Sequence, residues 1–357
     1  MVSSAGGLRI MWSPYDLFGE PSPGSQQVKA ALIVVFAALL TAISPGSWAD
    51  PPERFSYRGP CDASAAVALD AEHFVVGNDE DAVLRIYRRG RATPVVRGLD
   101  LSGFLDVSPG DEVDIEAAAR VGGRIYWISS HGRSGAGRKE ESRRRFFATD
   151  VVDGVTGRPA YLRTVGAPYT GLLRAMERAP ELRPYRLHDA ARRAAEADGG
   201  FNIEGLATTP DGRLLVGLRN PLPHGRALLI PLLNPAAVVA GEQAAELGRA
   251  IELDLAGRGI RSIERVGASY LIVAGPPADA GSFMLFRWSG TAGDAPQVLT
   301  DVDLQDLRPE ALFVMPGGKH IELLSDDGGI RTAAGKECKK LPRQQQSFRS
   351  LTLPLPE

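Results

Sequence analysis

Four glutamates in this chain recur in one local setting, each following an apolar or stiffening position and leading into a small or apolar run. They lie in Asp114-Ile115-Glu116-Ala117-Ala118, Asn202-Ile203-Glu204-Gly205-Leu206, Ser262-Ile263-Glu264-Arg265-Val266 and Arg308-Pro309-Glu310-Ala311-Leu312. Carboxylates brought to one place raise each other's pKa unless positive charge intervenes. A hard divalent cation, calcium above all, takes such oxygens as ligands. Alternatively, Arg133, Arg219, Arg261 and Arg308, close in sequence to the repeats, pair with them bidentately. In a third arrangement each glutamate caps backbone amides of its neighbour and no site is shared.

Other polar residues stand where strands would end. His131, in Ser129-Ser130-His131-Gly132-Arg133, is the best placed of the five histidines to act as general acid or base. Asn220 follows Arg219, and Asp326 in Asp326-Asp327-Gly328 is a further oxygen donor unless that tripeptide is simply a hairpin turn. Asp301, Asp303 and Asp306 lack the glycine and glutamate of an EF-hand loop. Serine-hydrolase elbows, HExxH zinc sites, phosphate-binding P-loops and Rossmann fingerprints are absent.

These groups need elements to hold them, and the strand pattern supplies a repeat. Short β-rich runs at 65–69, 73–77, 83–87 and 93–97, separated by turn residues, have the hairpin spacing of one propeller blade. Similar groups follow at 114–152, 205–231, 260–288 and 311–354. The fold expected is therefore all-β, a propeller of about five or six blades whose repeated positions surround one axis. The glutamates are unevenly spaced, the 88 residues from Glu116 to Glu204 being too many for one blade. Residues 170–198 account for the excess, with helix-like runs at 171–179 and 187–197 broken by Pro180 and Pro184, either as a lid or as packing on a rim. The Arg- and Gly-rich segment 132–145 reads as a mobile, solvated loop.

Phe201-Asn202-Ile203-Glu204-Gly205-Leu206-Ala207, Gly217-Leu218-Arg219-Asn220-Pro221 and Leu253-Asp254-Leu255 with the 257–264 stretch resemble a bacterial exported family known only as a domain of unknown function. The resemblance covers most of the chain after residue 49 and implies the fold without implying an activity. More loosely, the chain is similar to esterase-like, phytase-like propellers, a likeness that implies carboxylates used with calcium.

The bulk composition is that of an ordinary globular protein. With 44% hydrophobic residues a sizeable core is available, and a formal net charge of -2 provides no pull toward nucleic acid. Residues 1–49 read as a signal peptide: Lys29 precedes an apolar run at 30–43, and Ser47-Trp48-Ala49 suits cleavage. An uncleaved anchor is the alternative, and residues 1–27 suit a start site assigned too early, with Val28 as the true start. The mature chain, 50–357, then forms a single domain with no stable membrane span, periplasmic or extracellular. Export lets Cys61 and Cys338 pair as a clasp between the ends of a closed ring, two separate buried thiols being the alternative.

The expectation is an exported propeller that binds a small anionic ligand, such as a phosphate ester, at a carboxylate-lined channel mouth. Glu116, Glu204, Glu264, Glu310 and Asp326 hold calcium, while Arg133, Arg219, Asn220, Arg261 and Arg308 meet the ligand. His131 and Glu204 carry the catalytic roles in the enzymatic form, a calcium-dependent phosphoesterase-like hydrolase. The alternative is a non-catalytic propeller that recognises a protein or an envelope polymer.

Overall fold

A computed structural model describes residues 52–356 except 109, 155–159, 279–280 and 305. The leader, the alternative start and the cleavage site lie outside the described residues.

Among the described residues, twenty strands form five four-stranded antiparallel sheets. Blade one is β2 (Ala65–Ala68), β3 (His73–Gly77), β4 (Val83–Arg88) and β5 (Leu99–Asp100). Its outer strand is thus the short 99–100 pair and not the expected 93–97 run. Blade two is β6 (Ile115–Val121), β7 (Arg124–Ser129), β8 (Phe146–Val152) and β9 (Tyr161–Tyr169). Blade three is β10 (Asn202–Thr208), β11 (Leu214–Asn220), β12 (Ala227–Leu232) and β13 (Ile251–Leu253). Blade four is β14 (Gly259–Val266), β15 (Ser269–Gly275), β16 (Met284–Trp288) and β17 (Gln297–Val298). Blade five joins β18 (Pro309–Val314), β19 (His320–Ser325) and β20 (Ser347–Pro354) to the N-terminal β1 (Glu53–Arg58).

The ring closes because β1 pairs antiparallel with β20, so strands from both ends of the described chain complete one blade. The first strands pack successively, β2 on β6, β6 on β10, β10 on β14, β14 on β18 and β18 back on β2. Sheets covered on both faces need apolar residues at consecutive positions, and Leu214-Leu215-Val216 and Leu271-Ile272-Val273 are buried throughout. Two-residue loops end the inner hairpins of blades two and four, where Gly122 (φ 60°) and Gly267 (φ 61°) supply the left-handed backbone those loops require.

Cys61, after β1, is bonded to Cys338, in the connection between β19 and β20, with a Cα separation of 6.0 Å. The insertion is helical as expected, with α2 (Leu172–Arg178), a 3-10 turn (Pro180–Tyr185) and α3 (Leu187–Ala190); α1 (Ser102–Leu105) precedes it and α4 (Pro235–Ala240) follows. Leu172, Leu173, Met176, Leu182 and Leu187 join the core shared by blades two and three, so the insertion is packed onto the ring. Segment 132–145 is held by specific contacts and is not the freely solvated loop expected: buried Arg145 donates to the Leu105 carbonyl, and His131 N–H donates to the Arg143 carbonyl. Among the described residues no helix is long and apolar enough to cross a membrane.

Candidate functional site

Each of blades two to five breaks register at one shared place in the pairing of its first two strands, and blade three breaks it a second time between Asn202 and Ile203. The shared breaks lie between Ile115 and Ala117, Ile203 and Gly205, Ile260 and Ser262, and Pro309 and Ala311. A bulge leaves one residue out of the ladder and re-aims its side chain. The bulged residues are Glu116, Glu204, Arg261 and Glu310, and all four line a cavity of about 580 Å³. In blade one Ser64, immediately before the first paired residue, Ala65, stands at this position.

The fourth repeat is therefore Gly259-Ile260-Arg261-Ser262, three residues earlier than the Ile263-Glu264 pair that resembles the motif. Glu264 pairs in regular register with Leu271 and lines a different cavity, at the other end of its strand. Its expected place among cation ligands is corrected on that ground.

Arg261 changes the electrostatics of the axis. Its Nε lies 2.8 Å from Glu204 Oε2 as an ion pair without hydrogen-bond alignment, and its Nη2 pairs with Glu310 Oε1. The guanidinium sits 5.5 Å from the Phe283 ring centre. Arg219 Nη1 donates to Glu204 Oε1 at 3.0 Å, where Asn202 Nδ2 also donates at 2.8 Å. Arg219 and Arg261 thus meet carboxylates of the protein itself, which differs from their expected role toward a ligand.

Opposite these pairs Asp79 and Glu116 meet no cation directly among the described residues. Asp79, Glu116 and Glu310 each offer a carboxylate oxygen, and the three oxygens lie within 4.8 Å of one another. Ser64 Oγ donates to Asp79 at 2.5 Å and lies 3.3 Å from Glu310 Oε2. Glu116 is 6% exposed, and among the described residues no cation pairs with it directly. Burial first, then repulsion by Asp114 and Asp326, holds Asp79 well above the usual carboxylate range; burial, then Asp79 and Glu204, does the same to Glu116. Asp114 is also raised by burial, with Arg143 3.1 Å away offsetting part of the shift.

Asp326 lines the cavity beside Asp62. Burial and the hydrogen bond to Asp326 push Asp62 up to about 11, so Asp62 holds its proton at neutral pH. Arg308 is exposed and lines the cavity, and among the described residues its guanidinium meets no carboxylate. Arg133 lines it too but donates Nε to the Ala191 carbonyl and Nη1 to the Gly137 carbonyl, fastening the insertion to segment 132–145. The insertion itself contributes Ala195 and Glu196 to the cavity wall.

Two expected residues are occupied elsewhere. Asn220 Nδ2 donates to the carbonyls of Ala195 and Ala197, which anchors the end of the insertion, and Asn220 does not line the cavity. His131 is 1% exposed and also does not line it. Its Nδ1 bonds the Ser129 carbonyl at 2.8 Å, and burial pushes its pKa down to about 4, so the ring is neutral and shielded. This does not suit the proton-handling role expected from its loop position.

Asp79 is the residue that motif reading missed. It follows the second strand of blade one, inside the Asn78-Asp79-Glu80-Asp81 turn, while the repeated glutamates open first strands. The available signal was Ser64 at the glutamate position, which leaves blade one without an acid there and room for one from the next turn.

Residues 160–323 match a family described as "Protein of unknown function (DUF3616)". The likeness seen in the 201–207 and 253–264 motifs is thus to a family of unknown function. No curated protein matches the chain. Among solved structures, the PQQ-bound aldose sugar dehydrogenase of Streptomyces coelicolor is similar over 85% of this chain and 98% of its own, with 12% identity and a TM-score of 0.39. A putative oxidoreductase (glucose dehydrogenase) of Thermus thermophilus is similar over 85% and 100%, with 12% identity and a TM-score of 0.42. A mutant of the GH43 protein BlXynB of Bacillus licheniformis is similar over 79% and 53%, with 12% identity and a TM-score of 0.43. At these identities and scores the likenesses say nothing of this chain's chemistry.

Proposed function

We propose that this propeller works outside the cytoplasm, in the periplasm or beyond the cell, and binds a small anionic ligand of the phosphate-ester class through a divalent cation. The observation that carries the reading is the approach of the Asp79, Glu116 and Glu310 oxygens to within 4.8 Å of one another. Calcium is the cation of choice, since the donors are hard, negatively charged carboxylate oxygens. The donor set fits because Arg261 and Arg219 already neutralise Glu204 and part of Glu310, while Glu116 has no direct counter-charge among the described residues. The Cys61–Cys338 bond supports an oxidising compartment.

In this reading Asp79, Glu116 and Glu310 hold the cation, and Arg308 meets the anionic group. Bound calcium would supply positive charge against the ligand's oxygens and polarise them. The protonated Asp62 beside Asp326, in place of His131, is the group in the cavity that would donate a hydrogen bond to the ligand. Hydrolysis of a phosphate ester is the enzymatic form of this reading.

The test is a binding and turnover screen of the purified protein with inorganic phosphate and p-nitrophenyl phosphate, with and without calcium. Phosphate binding that requires calcium and is lost in Arg308→Ala supports the reading. Absence of calcium-dependent phosphate binding removes the ligand class, and binding without turnover removes the enzymatic form.

The ion pairs of Glu204 favour a second reading, a non-catalytic propeller that recognises a protein or an envelope polymer across the same face. Capture of a macromolecular partner that is unaffected by calcium or by Arg308→Ala would favour it.

A further inference from the structure

Every first strand of the five blades runs from the acidic cavity to a second one. At their far ends Val67 and Leu69 of the first blade, Ala119 of the second, Thr208 of the third, Glu264 of the fourth and Phe313 of the fifth enclose about 590 Å³. This end of the ring is mainly apolar, in contrast to the other.

Its polar groups are spoken for, with one exception. Arg120 donates Nε to the Gly122 carbonyl and Nη1 to the carbonyls of Ala68 and Leu69. Asp70 accepts from the N–H groups of Glu72 and His73 and from the His73 ring. Thr208 accepts at Oγ1 from Arg265 Nε and at its carbonyl from the Tyr270 hydroxyl. Glu264 remains: among the described residues no hydrogen bond or ion pair reaches its carboxyl. Arg265, the nearest cation on its own strand, turns to Thr208 and to the Gly267 carbonyl. A carboxyl facing an apolar cavity without a counter-charge favours its neutral form, and burial pushes Glu264 up to about 8 with only partial relief from Arg265. A cation carried in by a ligand would reverse that preference, and the apolar walls would hold whatever is attached to the cation.

We propose that this second cavity binds a small organic ammonium compound, its cationic nitrogen paired with Glu264 and its apolar substituent lying against Val67, Leu69 and Phe313. The site is independent of the proposed calcium site, which occupies the opposite ends of the same strands.

The probe is n-hexylammonium, titrated calorimetrically into the full folded chain at pH 7 in two buffers of different ionisation enthalpy. With its pKa raised to about 8, Glu264 is largely protonated at pH 7, so binding should release a proton there, and less at pH 9. The charged groups around the same cavity, namely Arg265, Arg120 and the Asp70–His73 pair, are already partnered. Glu264→Gln should lose at least tenfold in affinity, hexan-1-ol should bind no better to the native chain than to that variant, and Glu116→Gln should leave hexylammonium binding unchanged. The proton count needs no variant and so separates loss of the site from loss of the fold. The assignment is overturned if hexylammonium does not bind at millimolar concentration, if it binds without proton release, if Glu264→Gln binds it equally, or if Glu116→Gln abolishes binding.

Discussion

Arg261 Nε and Glu204 Oε2 lie 2.8 Å apart, joining the bulged residue of blade four to that of blade three. The same guanidinium pairs with Glu310 of blade five, so one cation ties three consecutive blades at the axis. Where the repeat calls for a fourth carboxylate the chain supplies the counter-charge for two of the other three. This makes the ring electrostatically tolerable and leaves Asp79 and Glu116 meeting no cation directly among the described residues.

Removing that cation should leave two carboxylates buried without compensation. Arg261→Met, which keeps much of the volume, is expected to cost about 3–5 kcal/mol in urea unfolding, the usual loss when one partner of a buried pair is removed. The double variant Arg261→Met with Glu204→Gln should recover part of the loss. A single variant as stable as the native chain would show that the pairing does not support the fold.

The acidic cluster predicts an unusual pH dependence. Carboxylates whose folded pKa lies above the unfolded value favour folding while protonated. Their contribution is full below about pH 4 and is lost as pH rises toward the folded values, which for Asp62 is about 11. Asp79 and Glu116 shift in the same direction. In EDTA the melting temperature should therefore fall between about pH 6 and pH 9. Calcium, which competes with protons for these oxygens, should raise it more at pH 9 than at pH 6. A calcium effect that shrinks as pH rises would contradict the assignment.

Gly259 tests how closely blades three and four approach. A Cβ at this position would lie 2.0 Å from the Arg219 carbonyl oxygen, a backbone atom that cannot move aside by rotation. Gly259→Ala should cost about 1–3 kcal/mol by overpacking and loosen both Arg219 and Arg261. Gly103→Ala, where no atom lies within 4 Å, is the matched control and should cost little.

Much of this architecture is legible in the chain. Consecutive β-rich runs with hairpin spacing indicate blades, the Pro-broken helical segment marks the insertion, and two widely separated cysteines match the closure. The site was legible only in part, because a bulge is set by strand pairing and leaves no distinct residue type behind. Ile263-Glu264 has the same dipeptide as Ile115-Glu116 and Ile203-Glu204, yet pairing places Ile260-Arg261 at the bulge. Asp79 was hidden because its neighbours, Asn78 and Asp81, form a turn that explains an acidic tetrapeptide without any further role. His131 looked available because loop position says nothing about burial; the structure covers its ring completely.

The disulfide should matter to stability and to the site together. It closes a loop of 277 residues, for which loop-closure entropy sets a ceiling of about 5 kcal/mol. Its cysteines adjoin Asp62 and Lys339, both of which line the acidic cavity. Cys61→Ser with Cys338→Ser is expected to lower stability by about 2–4 kcal/mol in urea and to weaken calcium binding. Unchanged stability would mean that β1–β20 pairing alone closes the ring.

The most direct test of the account is a calorimetric calcium titration of the native chain beside Glu116→Gln, Asp79→Asn and Glu264→Gln at pH 8. The account predicts one calcium per chain, at least a tenfold loss of affinity in each of the first two variants, and none in the third. Absence of calcium binding by the native chain, or equal losses in all three variants, would contradict it.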